Sequence, residues 1–430
     1  MHTYRILFLP LHIFVTAVLV AQPAISAQVS TDEKQPVVHD SMRIVQLDEA
    51  LALAEKNSPK LSEAGAAVDR AQAGVHAART YTNPNAEFMG GHQSALPIST
   101  PGVPGSTWRY AASQTFEIPK ERRARQQVAF YDLAANRLHL DGVKLSVAAD
   151  VKHAFFDVLL CKKQLAYAKE NLALVEDLRR RVRLEVEVGE KGKLELTRAE
   201  AETARAQAAV RNANVQLANA RAMLKAVIGV SDEEAFDADG VVNRPVKLAA
   251  LDDLRALVLR NHPAFAESQA AMDRSRAAVE HERAKRMPAP TFAAEYERQP
   301  DVSYYRFGVN VPLPLWNRNK AEVAAAQADL SSNQALARQR QLAITAALER
   351  AYDQYQINDQ QVDALEAGSL REAEAAVEAA RNAYKFGERG ILEVLDAQRV
   401  LQGVRNDLLD AIYARQSALI DLEELGVKQQ

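Results

Sequence analysis

This chain of 430 residues has one cysteine, few aromatic residues and no large excess of either charge. The single cysteine, Cys161, cannot form an intrachain disulfide and rules out multi-cysteine zinc and iron-sulfur sites. Lys and Arg number 53 against 56 Asp and Glu, so there is no basic excess to favour a nucleic-acid partner. Aromatic residues make up 6%, whereas long stretches consist of Ala, Leu, Val, Glu, Arg and Gln, a composition typical of coiled coils.

Catalytic motifs are also missing from the sequence. No Gly-x-Ser-x-Gly elbow, phosphate loop or dinucleotide fingerprint occurs. The pair His281-Glu282 begins like a zinc-protease helix, but Lys285 stands where the second histidine ligand belongs. We therefore expect no enzymatic activity, no catalytic residues, no cofactor and no resident metal.

Residues 1–27 have the pattern of a secretory signal peptide. Arg5 supplies positive charge, an apolar stretch runs from Ile6 to Val20, and small residues lead to a predicted cleavage site after Ala27. The apolar stretch is shorter than the roughly 20 residues that a spanning helix needs, and no later stretch approaches that length. The residue directly after the predicted cleavage site is Gln28 and not cysteine, so N-terminal lipidation is not expected.

The remaining chain contains two related halves. A shift of 204 places aligns identical residues, among them Leu47 with Leu251, Asn57 with Asn261, Pro59 with Pro263, Asp69 with Asp273 and Pro84 with Pro288. This register predicts a polar segment at 28–46, a first repeat at 47–230, a linker at 231–250 and a second repeat at 251–427. The linker is acidic and contains Gly and Pro, which interrupt helical periodicity.

Each half is predicted to be mostly helical. The segments from about Glu121 to Val188 and from about Asn317 to Phe386 lack proline and keep apolar residues at helical spacing. Each helix would be roughly 100 Å long, so its apolar stripe needs an equally long partner. The helices that follow Gly192 and Gly390 can supply this partner by folding back as antiparallel coiled coils.

Two strands in each half alternate apolar and polar residues. One face of each second strand is apolar, with Trp108, Tyr110 and Phe116 in the first half and Tyr305, Phe307 and Val309 in the second. This length and alternation fit the strands of a transmembrane barrel, although a half-buried soluble sheet has the same pattern. Four strands cannot close a barrel, so membrane insertion predicts an oligomer, with eight strands from two chains or twelve from three.

Three groups of residues resemble the TolC family of outer-membrane efflux ducts, and within it the CzcC-like branch that serves heavy-metal exporters. They are Tyr384–Gln398, Val311–Asn319, and the paired openings Asn57-Ser58-Pro59 and Asn261-His262-Pro263. The resemblance implies a mainly α fold with a β-barrel part. It implies a homotrimer in which four transmembrane strands per chain form one 12-stranded barrel, above a periplasmic tunnel of long antiparallel coiled coils.

The resemblance also implies a function. The chain would be the passive exit duct of a tripartite RND-type efflux system in the Gram-negative outer membrane, in contact with outer-membrane lipid and extending into the periplasm. It would dock on a periplasmic adaptor (membrane fusion protein) and an inner-membrane RND pump, and would export cations such as cobalt, zinc, cadmium, nickel or copper. Two alternatives stay open: a soluble periplasmic coiled-coil scaffold or adaptor, and a TolC-like duct for drugs or protein secretion.

Residue roles follow from the same resemblance. The tip turns at Gly189, Gly192, Gly387 and Gly390 are expected to contact the adaptor, and glycine there permits a positive φ. An ion pair between Arg389 and Glu195, helped by Tyr384, is expected to hold the entrance closed. Glu393 and Asp396 match the carboxylate rings at the narrowest point, which favour cations in a pore.

Two further groups are candidates for the membrane border. Arg122, Arg123 and Arg125 follow the first predicted strand pair, where the periplasmic rim of a barrel would lie. Trp108 and Trp316 are candidates for an interfacial aromatic belt, against the alternative of ordinary packing.

Overall fold

The computed structural model describes residues 43–94, 103–230, 236–242 and 245–427. The predicted signal peptide and most of the polar segment at 28–46 lie outside the described residues.

The first half contains two short elements, a hairpin and two long helices. Strand β1 (Arg43–Val45) precedes helices α1 (Leu47–Asn57) and α2 (Pro59–Arg79), and the hairpin consists of β2 (Asn85–Gln93) and β3 (Gly105–Thr115). The long helices are α3 (Pro119–Glu187) and α4 (Lys193–Ile228). Proline occupies the first turn of both α2 and α3, where its missing N–H costs no hydrogen bond.

The second half repeats this order. After strand β4 (Phe236–Ala238) come α5 (Leu251–Asn261), α6 (Pro263–Ala284), β5 (Thr291–Arg298) and β6 (Ser303–Asn310). The long helical stretch consists of α7 (Lys320–Ala364), a π-helical turn (Leu365–Ser369) and α8 (Leu370–Lys385), and α9 (Ile391–Glu424) returns along it. The repetition of α1 and α2 as α5 and α6 confirms that the structure contains two repeats.

The long helices agree closely with the predicted ones, with two differences in the second half. Helix α7 starts at Lys320 and not near Asn317, because Asn319 has a left-handed backbone (φ 52°) that cannot continue a right-handed helix. The π-helical turn at Leu365–Ser369 lies between α7 and α8 and interrupts the regular α-helical backbone hydrogen bonds along this stretch. Hydrophobic periodicity does not reveal a single π turn, since the apolar pattern resumes after it.

The four longer strands form one antiparallel sheet in the order β2-β3-β5-β6. Tyr110 lies opposite Phe88 on β2 and Tyr296 on β5, and Tyr296 lies opposite Tyr305 on β6. The hydrogen-bonding edges of β2 and β6 have no partner strand among the described residues. As predicted, four strands of one chain do not close on themselves.

The segments predicted to be a polar segment and a linker each contain a short strand, and these two strands pair with each other. Strand β1, from the polar segment, runs parallel to β4, from the linker. The carboxylate of Asp237 on β4 lies 3.1 Å from both Lys162 and Arg221, and Lys162 also donates to the Ala238 carbonyl at 2.8 Å. Burial acts to raise the pKa of Asp237, but the two cations outweigh it and lower that pKa. The linker is therefore fastened to α3 and α4.

The main apolar core lies where α1, α3, α4, β4 and α9 meet. Val151, Phe155 and Val158 of α3 and Leu224 and Ile228 of α4 are almost fully buried there. A second cluster joins α5, α7 and α9 around Leu348 and Leu422. Helices from both repeats share the main core, so the two halves form one folded body, whereas the second cluster is built from the second half alone.

Candidate functional site

The two turns that connect the long helices have the same backbone geometry. Gly189 and Gly387 have φ of 81° and 75°, and the residue after each donates to a carbonyl five positions back, from Glu190 to Glu185 at 2.8 Å and from Glu388 to Ala383 at 2.9 Å. This pattern is the Schellman motif, which requires a left-handed residue at the position that glycine occupies here. Gly189 and Gly387 therefore use the positive φ that glycine permits.

Gly192 and Gly390 do not have a positive φ. Their φ values are −81° and −82°, and both residues are the N-caps of the returning helices α4 and α9. An N-cap takes extended backbone, which any residue can adopt. One glycine per turn therefore reverses the chain, and the other begins the next helix.

Tyr384 lies between the two hairpins near these turns. Its hydroxyl donates to the Oε2 of Glu185 at 2.5 Å, and the ammonium of Lys191 lies 5.6 Å from its ring centre. Burial raises the pKa of Tyr384, and the bond to Glu185 and the nearby Glu195 carboxylate raise it further. The phenol therefore stays protonated and donates at any physiological pH.

Arg389 does not contact Glu195 within the chain. Its guanidinium is 67% exposed and lies 4.0 Å from Glu393, one turn along α9. Arg389 lies in the turn that precedes α9, and its side chain reaches forward over the first turn of that helix. One carboxylate oxygen of Glu195 is buried without a hydrogen-bond partner in the described part of the chain. The Arg389–Glu195 tie thus stays a prediction about the assembled protein.

A different ion pair joins the two hairpins. Arg399 on α9 donates to Glu202 on α4 at 2.8 Å and to Asp396 on its own helix at 3.2 Å. The Glu202 side chain is only 15% exposed, so this pair is better shielded from water than Arg389 and Glu393. Neither Arg399 nor Glu202 was among the residues expected to connect the hairpins. Glu202 and Arg399 are 197 residues apart, close to the offset of 198 between Gly189 and Gly387, so they occupy nearly equivalent positions in the two repeats. This correspondence was the signal in the sequence that could have indicated the pair.

Further along, more polar contacts connect the first hairpin to α9. Arg405 donates to Glu170 on α3 and to Glu374 on α8, each at 3.2 Å, and Gln398 donates to Asn171. Between these contacts and the turns lies an apolar cluster from both hairpins, consisting of Leu178, Val182, Ala199, Ile391, Val394 and Leu395. The hairpins are therefore held together by apolar packing with polar ties on either side.

The two predicted constriction residues lie in the first two turns of α9. Glu393 is half-exposed, and Asp396 is 66% exposed although it accepts the bond from Arg399. Apolar side chains are also exposed around the tips, namely Leu184, Val188, Leu194, Phe386 and Leu392. Exposed apolar groups of this kind on a helical tip are typical of a surface that another protein covers.

The four-stranded sheet has two chemically different faces. Aromatic side chains stack across all four strands on one face, with ring centres 5.0 Å apart for Phe88 and Tyr110 and 4.9 Å apart for Tyr296 and Tyr305. The predicted membrane-facing residues Trp108, Tyr110, Tyr305, Phe307 and Val309 all lie on this face and are exposed, Phe307 to 84%. Phe116 lies one residue beyond the end of β3 and packs on Phe292 at 5.0 Å.

The opposite face is polar and internally paired. Glu295 accepts from Arg109 at 3.1 Å and from Arg306 at 2.7 Å, so that its carboxylate connects three strands. Arg306 also bonds to Glu297. A sheet with an exposed aromatic face and a charged opposite face matches the two surfaces of a membrane channel, lipid outside and water inside.

No helix in the described ranges is long and apolar enough to cross a membrane. Among the same residues, no three His, Cys, Asp or Glu side chains are grouped to hold a metal ion. His153 instead bonds to Asp421 at 3.0 Å, linking α3 to α9. This hydrogen bond raises the pKa of His153, although burial opposes it.

Comparison with known proteins agrees with this geometry. The family profile described as "Outer membrane efflux protein" matches residues 50–230 and 254–426. The chain belongs to this family. The two matched segments correspond to the two structural repeats, and together they contain all the residues discussed above for the tips and the sheet.

Individual relatives and one solved fold give further detail. The chain is 27% identical to the cobalt-zinc-cadmium resistance protein CzcC of Cupriavidus metallidurans, over 92% of this chain and 93% of that one. It is 24% identical to the pyoverdine export outer membrane protein OpmQ of Pseudomonas putida, over 83% of this chain and 80% of that one.

Its structure superimposes on crystallised CusC with a TM-score of 0.78 at 21% identity, over 90% of this chain and 93% of CusC. The predicted TolC-like channel fold is confirmed by this match.

Proposed function

We propose that the protein is the outer-membrane exit duct of a tripartite RND-type efflux system and that it exports heavy-metal cations. The observation that carries this proposal is the sheet with one exposed aromatic face, one charged face and two open edges, mounted on helices of about 100 Å. In lipid an open strand edge is not tolerated, so other copies of the chain must complete the sheet.

A homotrimer satisfies this requirement. Three chains would contribute twelve strands, with β6 of one chain pairing with β2 of the next to form one barrel. The apolar face would then contact outer-membrane lipid, and the face with Glu295 and Arg306 would line a water-filled lumen. The exposed sides of the helices would close the tunnel below in the same threefold arrangement.

The entrance lies at the tips of the hairpins. Tyr384 with Glu185 and Arg399 with Glu202 hold the second hairpin against the first in each chain, and Arg389 with Glu195 would act between the tips of the assembled trimer. A single exposed ion pair contributes only about 0–1 kcal/mol, so closure depends on several ties repeated three times. The adaptor would open the entrance by covering the exposed apolar tip residues around Phe386 and contacting the turns at Gly189, Gly192, Gly387 and Gly390.

Cation transport is supported by the charge near the entrance and by the similarity to CzcC. Glu393 and Asp396 of three chains would form two carboxylate rings, which attract cations and repel anions. The similarity to OpmQ, a pyoverdine export protein, favours pyoverdine as a second cargo through the same duct.

Fractionation of cells expressing the native chain tests the duct proposal first. We expect the processed protein in the outer-membrane fraction, with a detergent-extracted mass of three chains. A soluble monomer in the periplasm would refute the duct and leave the coiled-coil scaffold as the remaining explanation.

Conductance in planar bilayers tests the entrance and the rings. Replacing Glu393 and Asp396 by Gln and Asn should shift the reversal potential in a salt gradient towards anions. The matched control is Asp252→Asn with Asp253→Asn. It removes the same charge from α5, whose apolar residues pack in the cluster around Leu348 and Leu422 and not at the tips. If Arg389→Ala leaves single-channel conductance unchanged, Arg389 is not part of the gate.

Growth assays distinguish the two cargoes. In a strain without its own duct, the chain together with its cognate pump should raise tolerance to cobalt, zinc, cadmium, nickel or copper salts. Secretion of pyoverdine without any gain in metal tolerance would instead assign pyoverdine as the cargo.

A further inference from the structure

The segment between β6 and α7 displays apolar side chains that nothing in the described chain covers. It is fastened at its end by Asn319, whose side-chain amide donates to the backbone carbonyl of Glu282 at 2.8 Å and to its carboxylate at 2.9 Å. Before this anchor, Leu313 and Leu315 are exposed and Trp316 is 94% exposed. A fastened segment that exposes a tryptophan and two leucines is typical of a contact surface.

Exposed cations lie close in sequence to the neighbouring strand ends. Lys120 and Arg123 follow β3, Arg286 precedes β5, and Arg318 and Lys320 follow β6. No carboxylate in the described residues pairs with any of these five side chains.

The nearby carboxylates are mostly engaged elsewhere. Glu117 bonds to Arg125 at 2.9 Å, and Glu282 bonds to Lys285 at 2.7 Å as well as to Asn319. Glu121 and Glu322 also lie in this region, but they are fewer than the cations. The surface therefore carries a positive excess.

All of these residues lie at one end of the sheet. Asn85 at the start of β2 lies opposite Ser113 near the end of β3, and Thr291 at the start of β5 lies opposite Thr115 and Asn310, where β3 and β6 end. In the proposed duct, which this inference assumes, that end is the border between the barrel and the periplasm. We call Lys120, Arg123, Arg286, Arg318, Lys320 and Trp316 the rim.

We propose that the rim binds the headgroups of anionic phospholipids in the periplasmic leaflet of the outer membrane. Lys and Arg side chains at a membrane border attract anionic headgroups, and tryptophan prefers the boundary between headgroups and acyl chains. The positive excess beside the continuous apolar face favours lipid over a second copy of the chain, which would present the same cations.

Tryptophan fluorescence tests the location of the rim. The chain has two tryptophans, so Trp108→Phe leaves only Trp316 and Trp316→Phe leaves only Trp108, which lies on the aromatic face of β3. Each single-tryptophan trimer is reconstituted into vesicles of lipids brominated at a shallow or a deep acyl position. We expect bromine to quench both, and Trp316 to be quenched more by the shallow label than by the deep one.

The two reporters distinguish the possible failures. Quenching of Trp108 without quenching of Trp316 would overturn the rim proposal and leave the duct intact. Absence of quenching for both residues would overturn membrane insertion itself, and with it the rim.

Lipid retention tests the charge requirement. Trimers are extracted from vesicles of phosphatidylethanolamine and phosphatidylglycerol, and the retained lipids are quantified by mass spectrometry. The variant Arg286→Gln, Arg318→Gln, Lys320→Gln should lower the preference for phosphatidylglycerol by up to about fivefold for each charge removed.

The control is Lys169→Gln, Arg205→Gln, Arg211→Gln, which removes three exposed charges from the helical part of the chain and should retain the native preference. Equal phosphatidylglycerol retention by both variants and the native protein would refute the proposal.

Discussion

Two neighbouring alanines on β5 allow a direct test of which face of the sheet contacts lipid. Ala294 lies opposite Phe307 and Ala112 on the aromatic face, whereas Ala293 lies opposite Gly308 and Ser113 on the polar face. Both are exposed in the single chain. The substitutions Ala294→Lys and Ala293→Lys are chemically identical and one residue apart, so strand propensity and depth nearly cancel between them.

The magnitude follows from the position in the strand. Ala294 is the fourth of the eight residues of β5, near the middle of the sheet. A lysine facing lipid near the bilayer centre costs about 2–4 kcal/mol, a factor of about 30 to about 1,000 in folding equilibrium for each chain. A lysine at Ala293 would face the water-filled lumen, where this desolvation cost does not arise.

The assay is refolding from urea into lipid vesicles, followed by separation of folded trimer from unfolded chain on a gel without heating. We expect Ala294→Lys to lose most of the folded trimer and Ala293→Lys to resemble the native protein. Equal losses for both variants, or a greater loss for Ala293→Lys, would refute the assignment of the aromatic face to lipid.

Three further predictions concern the helices. Gly189→Val should cost about 2 kcal/mol of stability in thermal unfolding and Gly189→Asn less than about 1 kcal/mol, because asparagine tolerates a left-handed backbone and open space surrounds the new side chain; equal costs would contradict the backbone argument. Arg399→Ala should raise single-channel conductance, since it removes the tie to Glu202, while an unchanged conductance would exclude this pair from the gate. The pKa of His153 is raised in the folded state, so the stability contributed by its bond to Asp421 is fully present below about pH 6.5, the unfolded pKa, and is lost as pH rises through the folded pKa. The melting temperature of the native protein relative to His153→Gln should therefore fall between pH 6 and pH 8. The corresponding loss in free energy of unfolding is less than about 1 kcal/mol, because the pair is partly exposed.

Features with a local periodic signal were predictable from the sequence. The first long helix was expected from about Glu121 to Val188 and runs from Pro119 to Glu187, because an unbroken helical pattern is read residue by residue. The aromatic face of the sheet followed from alternation along single strands, and the reversals at Gly189 and Gly387 followed from glycine at the end of an apolar helix.

Contacts between distant parts of the chain were not predictable in the same way. Strands β1 and β4 have three residues each, too few for a recognisable pattern, and their pairing depends on Lys162 and Arg221 reaching Asp237. Likewise, no pattern within one segment of the chain indicated that Arg399 on α9 would bond to Glu202 on α4.

The sequence by itself determined the two repeats, through identities at an offset of 204 residues. It also determined the approximate spans of the long helices, the faces of the strands and the tip turns, because each of these depends on spacing along one segment of the chain. Only the tertiary structure decided which strands are neighbours, which charges meet between hairpins and where apolar side chains stay uncovered. Those features depend on how helices of about 100 Å align side by side, because a small shift between two such helices changes every side-chain contact between them.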